Sequence, residues 1–534
     1  MTIIKRNKMI ILKLIRMSGY SLWVFLILFF SGCNHHTSYY IDPSGIDNNP
    51  GNKINKPWKT LEKVNSTTFQ PGDRILFKAG GIWNGQLSPK GAGSQGDPIV
   101  IGMYGKGPKP SIRGNGISGL KAGAILLFNQ DCWEIENLDI SNKADSLNPG
   151  KRYGILVRWH NYGTGQYVHI KNCDIHDVSG SMNGRFNGEA ILVVATGNEK
   201  QTNYNDILIE NCSIKNIDRT GISIWSQWHI RNGMSFTDTI EPELYHNSTG
   251  PYMASTNVVI RNNKLENLGG DGMIVSCTKG ALMEYNVICR ANQRGTNPNA
   301  GMWPHNSDDA VMQYNEVYET RYSGDGMGFD IDQLCNYNYS QYNYSHDNKG
   351  GFHLICGPSG KDGRSTGNIV RYNISQNDKN TVFVFAGAVD STLIYNNTIY
   401  IGEGLNTNPY GVWDYEGGVA INTVVFNNIF YNLGNGKYVY ENRSTALFEY
   451  NCFFGKHPEN EPEDAHKITD DPLFVNAGSG GAGRGSVDGY KLKSGSSCQS
   501  KGKVILTNGG RDYWGNPVSE VKPPNIGAYN GPVI

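Results

Sequence analysis

The sequence predicts an all-β solenoid, in which one chain winds through many short strands. A phrase with a central asparagine returns throughout the chain, glycine-bounded stretches alternate between apolar and polar positions, and 66 of the 534 residues are glycine. Strict alternation is the pattern of a strand with one buried face, whereas a helix would repeat every three to four residues. A repeat built from strands therefore predicts stacked coils rather than separate domains.

The composition argues against nucleic acid as a partner. Lysine plus arginine and aspartate plus glutamate each number 48, and no basic run stands out. Phosphate backbones are bound mainly through an excess of positive charge. Nine of the ten cysteines lie beyond residue 33 and form no C-x-x-C pair, so we expect neither zinc nor a disulfide scaffold. We expect a monomer.

The first 33 residues predict an export signal. Basic residues precede an apolar run from Leu22 to Phe30, which is shorter than the ~20 residues that a membrane-spanning helix needs. The ending "FFSGC" resembles a bacterial lipoprotein signal, which implies that Cys33 is lipidated and anchors the exported protein in the cell envelope, at the outer membrane, in the periplasm or at the cell surface. The alternative is a plain secretory signal cut nearby, which removes only the anchor.

The recurring asparagine measures the length of one coil. The step from Asn263 to Asn286 is 23 residues, the step from Asn397 to Asn428 is 31, and the step from Asn211 to Asn263 is 52. Asparagine tolerates a left-handed bend, and stacked amides hydrogen-bond from one coil to the next. We therefore interpret this column as structural.

Short strands, abundant glycine and one asparagine per coil resemble the right-handed parallel β-helix of the pectate-lyase-like superfamily. The stretch "PWKTLEKVN" at 57–65 predicts a short amphipathic helix that caps the first coil, and irregular chain is expected to close the last coil. We divide the chain into a signal peptide, an N-terminal cap with the first coils, a single-stranded parallel β-helix core and an irregular C-terminal cap: residues 1–33, 34–110, 111–475 and 476–534.

Alignment of the coils on their glycines separates buried from exposed strand positions. In "GFDID" the acids Asp330 and Asp332 face out, in "GMWPH" Trp303 and His305 face out, and in "GFHLIC" His353 faces out. Because neighbouring strands lie about 4.8 Å apart, two columns are predicted, Trp303/Asp330/His353 and His305/Asp332. The sequence thus predicts a polar centre on one face of the solenoid.

Asp330 and Asp332 are the predicted acid/base pair of a glycoside hydrolase. Residues i and i+2 of a strand have Cα atoms about 6.6 Å apart, which overlaps the ~6.5–9.5 Å between carboxyls of inverting glycosidases without excluding the shorter retaining distance. His353 and His305 complete the predicted catalytic set. Aromatic rings and guanidinium groups would bind a polysaccharide by stacking and hydrogen bonding: Trp225, Trp303, Trp413, Arg158 and Arg321.

A polysaccharide lyase is the alternative reaction. Lyases with this fold typically hold calcium with aspartates against a uronate, and the predicted ligands would be Asp308, Asp309 and Asp325. Each of these three is better explained as a turn residue or as an acceptor of backbone N–H groups. The hydrolase requires no cofactor, and the absence of lysine at exposed positions near the acids favours hydrolysis.

A third class of function is a surface protein that binds glycans without cleaving them. Such a protein has no need of adjacent acids and histidines at the centre of the face, and a purely structural solenoid would show monotonous exposed positions. Both observations favour an enzyme. Glu189 and Glu416 flank the predicted groove and are further candidates for the acid.

Overall fold

The structure is a computed structural model that describes one body beginning at His36. The described residues are 36–144, 150–182, 186–231, 251–296, 298–358, 363–413, 415, 417–441, 443–532 and 534. The predicted signal peptide, its Cys33 and the candidate acid Glu416 lie outside the described residues.

The described residues form a right-handed parallel β-helix, as predicted. Strands stack in chain order into three long parallel sheets. Sheet 1 contains Ser38–Ile41, Arg74–Lys78, Ile99–Tyr104, Trp133–Glu136, Thr164–Lys171, Asn203–Glu210, Ser255–Arg261, Leu282–Glu284, Val311–Gln313, Tyr339–Gln341, Ile369–Arg371, Leu393–Tyr395, Thr423–Phe426 and Ala446–Glu449, and Thr278–Lys279 also pairs with it.

The other two long sheets complete each coil. Sheet 2 contains Ile82–Asn84, Ser111–Arg113, Asp139–Asn142, Asp174–Val178, Ser213–Ile217, Lys264–Leu268, Val287–Cys289, Glu316–Tyr318, Tyr344–His346, Ile374–Gln376, Thr398–Ile401, Ile429–Asn432 and Cys452–Gly455. Sheet 3 contains Gly123–Phe128, Tyr153–His160, Glu189–Thr196, Ile222–Ser226, Met273–Ser276, Met302–His305, Met327–Ile331, Gly351–Cys356, Thr381–Ala386 and Asn408–Trp413.

Small elements complete the described secondary structure. Thr68–Phe69 pairs with Lys90–Gly91, and a three-stranded sheet contains Ser365–Thr366, Val389–Asp390 and Ala420–Ile421. The predicted cap helix is present as Leu61–Ser66, with Thr60 as its N-cap and Leu61 and Val64 buried. The chain also forms a 3-10 helix at Arg484–Tyr490.

The interior is one continuous apolar column. Inward-facing strand residues form a single cluster of buried side chains from Ile41 to Phe453. This column explains the alternation in the sequence, because one face of every strand is removed from water. The nine cysteines in the described residues are free and buried, as expected for small apolar side chains. Among the described residues no helix is long and apolar enough to span a bilayer.

The asparagine column is structural, but it consists of two neighbouring columns. Asn137, Asn172 and Asn211 occupy a left-handed bend with φ of 58°, 55° and 56°. From Asn263 onward the recurring asparagine lies one residue later and is buried, and its side chain bonds to the next asparagine along the solenoid. Residues such as Tyr314 then occupy the bend, at φ 56°.

The C-terminal chain lies along the solenoid as well as at its end. Ile468 pairs with Cys452 at the last coil, where a cap was expected. Beyond it the chain runs back outside the sheets, and the Gly483 N–H donates to Glu316 Oε1 at a coil far from the end. The predicted cap is therefore also a cover that packs on the outer face of sheet 2, where Tyr344 of the sheet and Tyr490 of the cover are buried in one apolar cluster.

Candidate active site

The candidate site lies on the outer face of sheet 3. Met302 pairs with Phe329, and both side chains belong to the interior column. Because side chains alternate along a strand, the residues that follow them, Trp303 and Asp330, share the outer face. The Asp332 N–H donates to the Pro304 carbonyl at 3.1 Å, so His305 lies beside Asp332. The structure thus brings together four of the predicted residues.

The predicted position of His353 is wrong. His353 pairs with Phe329 on one side and Phe383 on the other, both in the interior. Leu354 takes the outer position beside Asp330. His353 is completely buried, and its Nδ1 donates to the Leu354 carbonyl at 2.9 Å. Burial lowers the pKa of His353 to about 3, so the imidazole is neutral and does not reach the site.

The error has a simple geometric cause. Two consecutive residues face inward where sheet 2 turns into sheet 3, and the first is usually small, as at Gly301 and Gly328. In the next coil Phe352 occupies that place and is part of the core. Gly351 instead pairs with Met327. Alignment on Gly351 is therefore one residue early, and a slip of one residue moves every side chain to the other face.

Three carboxyls lie on or beside the strand Met327–Ile331. Asp330 is 4% exposed, Asp325 is 9% exposed and Asp332 is half-buried. Burial, followed by the charges of Asp332, Asp325 and Asp271, raises the pKa of Asp330 well above its ordinary value. Asp330 Oδ1 finds no hydrogen-bond partner among the described residues. Burial and neighbouring negative charges both favour the protonated form of a carboxyl, so the surroundings of Asp330 favour its neutral form.

Asp325 occupies the turn before the same strand. Its neighbours Gly324 and Gly326 have φ of 84° and 122°, a conformation that glycine adopts without strain. Asp325 Oδ1 accepts the N–H groups of Gly326 and Met327 at 2.7 and 3.1 Å. Burial nevertheless raises the pKa of Asp325 to about 7, helped by the charges of Asp271 and Asp332. Asp325 is therefore a carboxylic acid held in place by the backbone that can exchange a proton near neutrality.

A fourth acid, Asp271, was missed by the sequence analysis. It directly precedes Gly272 at the corner between sheets 2 and 3, and it is 2% exposed. Its Oδ2 accepts from Arg219 Nη1 at 2.9 Å, and its Oδ1 accepts from Trp303 Nε1 at 2.9 Å. The sequence did contain a sign of this acid. The position immediately before the small residue of the corner faces outward, so an acid found there lies on the outer face of sheet 3.

The candidate acid Glu189 also lies immediately before a small residue of the corner, but it is far from Asp330. It pairs with Tyr153 at the start of its strand and is 1% exposed. Burial raises the pKa of Glu189 to about 7. Its strand is four steps along sheet 3 from the strand of Asp330, about 19 Å at ~4.8 Å per step. Glu189 is therefore not part of the carboxyl cluster.

Aromatic rings surround His305. The imidazole stacks on Trp225 with ring centres 5.3 Å apart and an interplanar angle of 5°, and it meets the edge of Trp303 at 6.2 Å and 87°. His305 Nδ1 is 3.0 Å from Ser276 Oγ. His305 is 8% exposed, so it forms part of the wall beside Asp332.

The outer face of sheet 3 is not an open groove along its length. On both sides of the carboxyls much of the described outer face consists of buried apolar side chains: Leu126, Leu156, Leu192, Val194, Ile274, Leu354, Val384 and Ala386. Of the three carboxyls at the centre, Asp332 is half-buried and the other two are buried. The site is thus a recess around Asp332.

The remaining predicted sugar-binding residues lie away from this recess. Arg158 is 7% exposed, and its guanidinium donates to Thr196 Oγ1 and to the Leu120 carbonyl. Its strand is five steps from that of Asp332, about 24 Å. Trp413 is half-buried on the outer face, three steps from the strand of Asp332 on the other side, about 14 Å.

Arg321 is exposed on the connection from sheet 2 to sheet 3. Its Nη1 donates to the carbonyls of Gln293 and Gly295 at 3.1 and 3.3 Å. The guanidinium therefore links two neighbouring connections, and nothing in its contacts supports the predicted role in sugar binding.

The three predicted calcium ligands are not brought together. Asp308 is paired through both oxygens with Arg231, at 3.0 and 3.1 Å. Asp309 is exposed in a left-handed bend, at φ 57°, and Asp325 belongs to the carboxyl cluster. Within the described part of the chain no group of three or more His, Cys, Asp or Glu side chains is arranged to hold a metal ion. The described structure therefore does not support a calcium site built from these three residues.

Fold and site together define a parallel β-helix protein with a cluster of carboxyls on the outer face of sheet 3. The chain is 27% identical to lacto-N-biosidase of Bifidobacterium longum subsp. longum over an alignment that covers 93% of this chain. The chain spans 36% of the length of that relative. No family model matches the chain.

Solved structures give the same result. The crystal structure of native GH136 lacto-N-biosidase from Eubacterium ramulus is similar with a TM-score of 0.57 and 25% sequence identity, covering 77% of this chain and 68% of that one. The structure of XylC in complex with xylose has a TM-score of 0.54 at 11% identity, covering 93% of this chain and 99% of that one, and shows the fold alone. The predicted resemblance to β-helix carbohydrate-active proteins is confirmed.

Proposed function

We propose that this protein is a glycoside hydrolase. The observation that carries the proposal is the set of three carboxyls around one strand, of which one is accessible and two are buried with raised pKa values. Hydrolysis of a glycosidic bond needs a carboxylate and a carboxylic acid whose environments hold them in different protonation states. The similarity to lacto-N-biosidases of two bacteria supports the same reaction class.

The accessible carboxyl, Asp332, is assigned to the anomeric carbon, as nucleophile or as the base that activates water. Asp325 is assigned as the general acid. Its pKa of about 7 allows it to hold a proton and release it during turnover, and the N–H groups of Gly326 and Met327 hold its Oδ1 in place. This assignment replaces Asp330 as the acid, because the raised pKa of Asp330 keeps its proton in place.

Asp330 lies between these two groups along the strand and has a supporting role in this mechanism. Protonated, it is a hydrogen-bond donor to a neighbouring carboxylate or to a sugar hydroxyl. A neutral Asp330 also places no second negative charge beside Asp332.

We infer that cleavage takes place at the end of a glycan chain. A recess flanked by buried apolar side chains accepts a chain end, whereas internal cleavage needs an open groove on both sides of the acids. The substrates to test first are lacto-N-biosides, because both similar enzymes are lacto-N-biosidases.

The test is digestion of a chromogenic lacto-N-bioside and of a panel of host and plant glycans, with mass detection of products. A small saccharide released from the chain end without an unsaturated product supports the proposal. NMR of the first-formed anomer then assigns Asp332, since retention indicates a nucleophile and inversion a base. An unsaturated product would instead identify a lyase, and binding without any product would identify a glycan-binding protein.

We propose separately that the protein is exported and anchored by a lipid on Cys33. The support is the sequence alone: a basic start, a short apolar run and "FFSGC". Metabolic labelling with a clickable fatty acid should mark the wild type and not Cys33→Ala, and the variant should leave the membrane fraction. Equal labelling of both, or none in either, would contradict the anchor.

A further inference from the structure

The carboxylate of Asp271 hydrogen-bonds to residues of the coil before and the coil after its own. We call this set of contacts between three coils the junction. Asp271 Oδ1 accepts from Trp303 Nε1 at 2.9 Å and from the Ala300 N–H at 3.0 Å. Its Oδ2 accepts from Arg219 Nη1 at 2.9 Å. Arg219 comes from the preceding coil, and Ala300 and Trp303 come from the following one. These contacts give the buried carboxylate an ion pair and two further donors, as a buried charge requires.

Arg219 strengthens the junction through a second hydrogen bond. Arg219 Nη1 also donates to Asn299 Oδ1 at 2.7 Å, and Arg219 is 7% exposed. Asn299 directly precedes Ala300, so Arg219 and Asp271 hydrogen-bond to the same segment, which lies before the strand Met302–His305. That segment is therefore held from both sides at the edge of the carboxyl cluster.

Trp303 is the residue through which this junction contacts the carboxyl cluster. It lies beside Asp330 in the sheet, and its edge meets the His305 ring. Rotation of the indole about its side-chain bonds would break the bond from its N–H, which leaves this buried donor without an acceptor and removes one of the donors of Asp271, and both losses are costly. The plane of Trp303 is thus set by Asp271.

We propose that Asp271 is a positioning residue that holds Trp303 as the wall against which a pyranose ring of the substrate packs. This inference rests on the proposed function and deepens it, because it names the residue that shapes the sugar-binding recess. Indoles bind sugars through the apolar face of the ring, and this contact depends on orientation. Asp271 acts through Trp303 and touches no reacting atom.

The test is a double-mutant cycle with Asp271→Ala and Trp303→Phe on the glycan that the wild type hydrolyses. We expect Asp271→Ala to raise KM about tenfold, as for the loss of one aromatic contact, with kcat changed much less. Both changes impair the same contact between Trp303 and the sugar. The KM of the double variant should therefore be no higher than that of the more impaired single variant. Additive losses would overturn the proposal.

Two further variants separate positioning from a purely structural role. Asp271→Asn keeps an oxygen for Trp303 and should retain KM within about threefold, since only the partner of Arg219 changes. Arg219→Met is the matched control that removes the ion pair and leaves the Trp303 contact in place. If Asp271→Ala lowers the melting temperature without changing KM, the residue is structural and the proposal fails.

Failure of the proposed function gives a different result. A wild type that cleaves none of the glycans refutes the hydrolase, and the junction is then tested by binding of the same glycans to wild type and Asp271→Ala, where equal binding contradicts the positioning role. If Asp271→Ala does not fold, the cycle is run with Asp271→Asn, Asp271→Ser and Trp303→Phe. In that cycle, the positioning role is contradicted if variants that lose the Trp303 contact raise KM no more than variants that keep it.

Discussion

Replacement of Asp325 by asparagine tests the general acid through stability and activity together. Burial raises the pKa of Asp325 from 3.8 to about 7, and this difference of about 3 pH units corresponds to about 4 kcal/mol at 1.36 kcal/mol each. Below pH 4 the folded and unfolded chains both hold the proton. Between about pH 4 and 7 only the folded chain holds it, so the free energy of unfolding falls as the pH rises through this window.

Asparagine removes this pH-dependent loss of stability. It keeps an oxygen that can accept the N–H groups of Gly326 and Met327, and it carries no charge. We expect Asp325→Asn to match the wild type at pH 4 and to be more stable by up to about 4 kcal/mol at pH 8, a rise of several degrees in Tm. We also expect kcat to fall about 10³-fold.

The assay is the melting temperature of both proteins from pH 4 to 8, with kcat/KM measured on the same preparations. Asp309→Asn is the matched control, because Asp309 is exposed and its left-handed bend suits asparagine. For the wild type, kcat/KM should decline above about pH 7 as Asp325 loses its proton. A constant difference in Tm at every pH, or an Asp325→Asn variant with more than a tenth of the wild-type turnover, would refute the reasoning.

Three further predictions concern single side chains. Asp332→Asn should lower turnover at least about 10³-fold while Tm stays within about 2 °C, because the side chain is half-buried; a large drop in Tm would mark it as structural. His353→Phe should retain activity and Tm, since it places a third ring between Phe329 and Phe383; a tenfold loss of turnover would return His353 to the catalytic set. Asn343→Ala should destabilise the fold by about 3 kcal/mol or more, because it leaves buried amide groups of the ladder unpaired; urea unfolding that matches the wild type would show that the ladder is not needed.

The repeat and the alternation of side chains could be predicted because they are local. A strand with one buried face must place apolar residues at every second position, so Phe329 and Ile331 could be assigned to the interior and Asp330 and Asp332 to the outer face. The helix Leu61–Ser66 carries its own signals, an N-cap at Thr60 and apolar residues at helical spacing.

The composition of the site could be predicted only in part. Each coil has its own length, and the corner between sheets 2 and 3 accepts either glycine, as at Gly328, or a large residue, as at Phe352. Which residue pairs with which across coils therefore depends on three-dimensional packing. This is why His353 was assigned to the wrong face and why Asp271, which reaches Trp303 from the preceding coil, was missed.

By itself, the sequence determined that this protein is a parallel β-solenoid with a strand of outward-facing aspartates, because alternation and repeat length are properties of neighbouring residues. Tertiary structure alone decided which aspartates are buried with raised pKa values and which one is accessible. Protonation depends on burial and on the charges of other coils, and Asp325, Asp330 and Asp332 differ in both.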